Sequence, residues 1–98
     1  MEWITRLSGG EVVELSVGDA DQVLGVGRLI REEDTKISGP IRIVEVDGLV
    51  AVLEQTPKNV ILIRALPSIA DAQRLVEDRL EIYDRMWDGC GCKVNYFS

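Results

Sequence analysis

The sequence predicts an α+β domain: a mostly antiparallel curved sheet or small barrel of five to six strands, followed by one C-terminal amphipathic helix. Three observations point there. Short β-branched runs separated by turn residues fill the chain up to Leu66. Asp47-Gly48 stands between two such runs, the strongest short-range hairpin signature, because a type I′ turn needs positive φ at both central residues. After Pro67-Ser68 the apolar period changes from two to about 3.6 and stays helical through Asp88.

Taken in order, Glu2 to Leu7 and Glu11 to Val17 are expected as two strands joined through "SGG". On that reading Trp3 and Leu7 share a face and Ile4 points the other way. Gly18 to Gln22 ("GDADQ") is expected as a turn. Val23 to Arg31 is expected as a third strand, since Gly25 and Gly27 each oppose a helix by about 1 kcal/mol relative to Ala. Glu32 to Pro40 is the longest polar loop. Residues 41–46, 49–55 and 60–66 follow as a meander, with "TPKN" as the second turn and "VILIRAL" expected to be central because it is apolar nearly throughout. Ser68 has the chemistry of an N-cap, with Asp71 three residues later near the positive helix end. Gly89 is the expected C′ glycine.

Composition sets limits on function. The 98 residues suit one domain with a single core. Hydrophobic residues make up 46 % and charged residues 29 %, which is globular rather than disordered composition. No apolar run approaches the roughly 20 residues of a membrane span, and "MEWITRLSGG" lacks the apolar stretch of a signal peptide, so a cytoplasmic location is expected. With 17 acids against 11 bases the net charge is −6, and no three bases cluster; nucleic acid is therefore a disfavoured partner. Histidine is absent. That removes Ser–His and Cys–His nucleophile systems and Cys/His zinc sites from this chain, which lowers the expectation of an enzyme. A carboxylate-based enzyme stays open, but the sequence nominates no catalytic residue for it.

Two features are candidates for function. On a helical wheel Ile69, Ala72, Val76, Leu80, Tyr83 and Trp87 form one sector and Leu75, Ile82 and Met86 an adjoining one, giving an apolar arc of roughly 160° against the 100° or so that a surface helix needs. One explanation is a helix laid deep across a concave sheet. The other is that the Leu75/Ile82/Met86 edge meets a partner, most simply a second copy. Arg79 falls inside the same arc, where a charge must be paired, must carry its head to water, or must belong to an interface. The second feature is Cys90-Gly91-Cys92. Two thiolates are half of a tetrahedral zinc site, which two copies of the tail could complete; they could also form a strained, reducible disulfide, or be inert residues after a helix stop. The leading expectation is a small non-enzymatic binding or assembly module, self-associating through Leu75, Arg79, Ile82 and Met86. The alternative is a thiol-dependent metal-binding or redox protein using Cys90 and Cys92, with a soft metal such as zinc.

Overall fold

The computed structural model describes residues 2–35 and 37–88. The chain runs α1 (Glu2–Ser8), β1 (Val13–Leu15), α2 (Val17–Val26), β2 (Arg28–Glu33), β3 (Ile41–Val46), β4 (Leu49–Gln55), β5 (Ile61–Leu66) and α3 (Ile69–Asp88). The five strands form one open antiparallel sheet in the order β1-β5-β4-β3-β2. The fold is α+β with α3 packed on the sheet, and the sheet does not close into a barrel.

The second half of the chain follows local rules. Asp47 and Gly48 take φ of 51° and 76°, and β3 and β4 pair on either side of them from Val46↔Leu49 to Ile41↔Glu54. Thr56 to Asn59 turns the chain again, with Asn59 at φ 64° and its N–H donating to the Thr56 carbonyl. Ser68 caps α3: its Oγ accepts from the Asp71 N–H at 3.2 Å and donates to Asp71 Oδ2 at 3.0 Å.

The first 26 residues depart from expectation. Residues 2–7 are not a strand but most of a helix, and the "SGG" hairpin does not exist. Trp3 and Leu7 share a face in a strand and also in a helix, so their spacing did not discriminate; Ile4 decides it, because in the helix it joins them against the same core. The strand expected over 11–17 shrinks to Val13–Leu15. "GDADQ" is not a turn: it lies within α2, which the Ser16 hydroxyl caps by accepting from the Asp19 N–H at 3.1 Å. The strand expected over 23–31 is split between the end of α2 and β2, and β2 runs on through Glu33 into the expected loop. Gly27 sits at the join, where a Cβ would come within 2.8 Å of the Val23 carbonyl oxygen and 3.1 Å of that of Glu45. β2 carries a bulge between Leu29 and Arg31.

Strand alternation places two cores on opposite faces of the sheet. One joins Trp3, Leu7 and Val23 of α1 and α2 to Val13, Leu15, Val44, Val46, Ala51, Leu53 and Ile63. The other joins Ala72, Val76 and Tyr83 of α3 to Ile41, Ile43 and Val52. β3 and β4 are buried on both faces, which is why their sequences read as nearly continuous apolar runs. β5 has strand neighbours on both sides over residues 61–63.

Candidate functional site

Among the described residues, the face of the sheet beneath α3 carries one buried carboxylate. Alternation along β4 turns Val50, Val52 and Glu54 toward α3, and Glu54 is 4 % exposed. A carboxylate removed from water is costly unless other groups replace its solvent. Two residues of α3, one turn apart, do so. The Tyr83 hydroxyl donates to Glu54 Oε2 at 2.9 Å, and Arg79 Nε lies 3.6 Å from Oε1. The second contact is an ion pair, too long for a hydrogen bond. Arg79 Nε is buried with no hydrogen-bond partner among the described residues, while 28 % of the Arg79 side chain reaches the surface. The Tyr83 phenol is pushed up to about 12, chiefly by burial, then by its hydrogen bond to Glu54 and the negative charge there, with Arg79 opposing. This trio ties α3 to β4. A phenol kept protonated far above neutrality and a carboxylate sealed from solvent do not make an acid–base pair open to substrate.

Arg79, placed in the apolar arc by sequence, thus has a partner within its own chain. The other three residues of that edge lie to the outside. Leu75 and Ile82 are half-buried against the α3 core, and Met86 is 47 % exposed. The opposite side of α3 faces β2, where Arg31 Nη2 bonds Glu77 Oε1 at 2.7 Å. Beside Leu75, at the start of α3, an open groove of about 490 Å³ is lined by Leu66, Pro67, Asp71, Arg74, Leu75 and Asp78. Its wall is mostly apolar and its rim is charged.

Cys90 and Cys92 lie outside the described residues, as do Gly89 and the tail beyond. Among the described residues no three His, Cys, Asp or Glu side chains group as metal ligands, and no helix is long and apolar enough to cross a membrane. No protein-family model, no curated protein and no solved structure matches this chain.

Sequence reasoning missed Glu54 as the partner of Arg79 and Tyr83. The trace was present: one acid ends the apolar run "LVAVLE", and one base interrupts the apolar arc of the helix. Two isolated charges of opposite sign on two buried faces are an ion pair in waiting.

Proposed function

We propose that this chain is a small non-enzymatic binding and assembly module that self-associates through the outer edge of α3. The observation that carries the proposal is the Leu75–Ile82–Met86 edge, which the sheet beneath covers only in part and which continues into the groove at Leu66 and Pro67. Apolar surface that is continuous, rimmed by charge and carried on a rigid helix is the ordinary form of a protein-binding patch. The buried trio under α3 serves that role by fixing the helix as a platform.

Sedimentation equilibrium of the full chain tests this. Self-association that strengthens with concentration, and that Met86→Glu abolishes while the far-UV circular dichroism stays unchanged, is the expected result. Met86 is exposed, so the substitution leaves the core intact. A wild-type chain that stays monomeric at every accessible concentration overturns the proposal.

A further inference from the structure

We draw no further inference here: the strongest candidate, the open groove at the start of α3 lined by Leu66, Pro67, Asp71, Arg74, Leu75 and Asp78, carries charges of both signs at its rim, and nothing in the structure shows what covers it.

Discussion

Replacing Tyr83 by Phe removes one oxygen from the centre of the molecule and leaves the ring volume in place. Among the described residues Glu54 then keeps the long 3.6 Å contact with Arg79, at a position 4 % exposed. A hydrogen bond to a charged group contributes roughly 1.5–3 kcal/mol, and an unsatisfied buried acceptor carries its full desolvation penalty. A loss of about 2 kcal/mol is therefore expected, or about 8–16 °C in Tm for a domain of this size. The rise of the phenol from 10.0 to about 12, chiefly from burial, sets a separate quantity, the stability lost when Tyr83 ionises: at most about 2.7 kcal/mol at 1.36 kcal/mol per tenfold. The sign with pH follows from the raised pKa. Below pH 10 the phenol is neutral in both states and the contribution is complete. Between 10 and 12 only the unfolded chain ionises, so stability is lost as pH climbs through that window. Urea denaturation of wild type, Tyr83→Phe, Glu54→Gln and the double variant measures both loss and coupling, with a coupling energy of about 1–2 kcal/mol expected. The difference in phenolate absorbance between wild type and Tyr83→Phe isolates the Tyr83 titration from that of Tyr96. A Tyr83→Phe chain within about 0.5 kcal/mol of wild type, with additive double-variant behaviour, refutes the assignment of the trio as the clamp of α3.

Three further outcomes are expected. Gly27→Ala drives a Cβ into the carbonyl oxygens of Val23 and Glu45, which are backbone atoms, so a loss of about 1–3 kcal/mol in urea is expected. Gly25→Ala, at a helical position with open space around it, is expected instead to be neutral or stabilising by up to about 1 kcal/mol in the same assay. Ser68→Ala removes the acceptor of the Asp71 N–H and is expected to cost about 0.5–2 kcal/mol in thermal unfolding, with Ser68→Asp recovering most of it.

How much was legible in the sequence depended on how local the deciding physics was. α3 was, because Ser68, Asp71 and a sustained 3.6 period lie within one segment, and its observed start at Ile69 follows directly from its cap. The β3–β4 hairpin was, because Asp47-Gly48 names its own turn. α2 was not, although Ser16-Val-Gly-Asp19 has the same capping pattern as Ser68-Ile-Ala-Asp71. Two glycines outweighed the cap in propensity, and burial of Ala20 and Val23 against the sheet reverses that balance. α1 was ambiguous because Trp3 and Leu7 are four apart, a spacing both periods allow. Of the site, the outer edge of α3 was visible as excess apolar arc. The partner of Arg79 was not, because Glu54 is 25 positions away and only the pleat of β4 turns it inward.

The order of the strands carries a further consequence. β2 to β5 each pair with the neighbour that precedes or follows them in the chain, so that part of the sheet can assemble as it is made. β1 instead joins β5, setting Val13 against Ile63 and Leu15 against Ile61. Those three residues must wait, together with the short helix ahead of them, until the last strand has been synthesised, and they then close a long loop for few bonds. Amide hydrogen exchange should accordingly find the amino-terminal end to be the first part of the molecule to come undone, a hinged flap beside a self-sufficient meander.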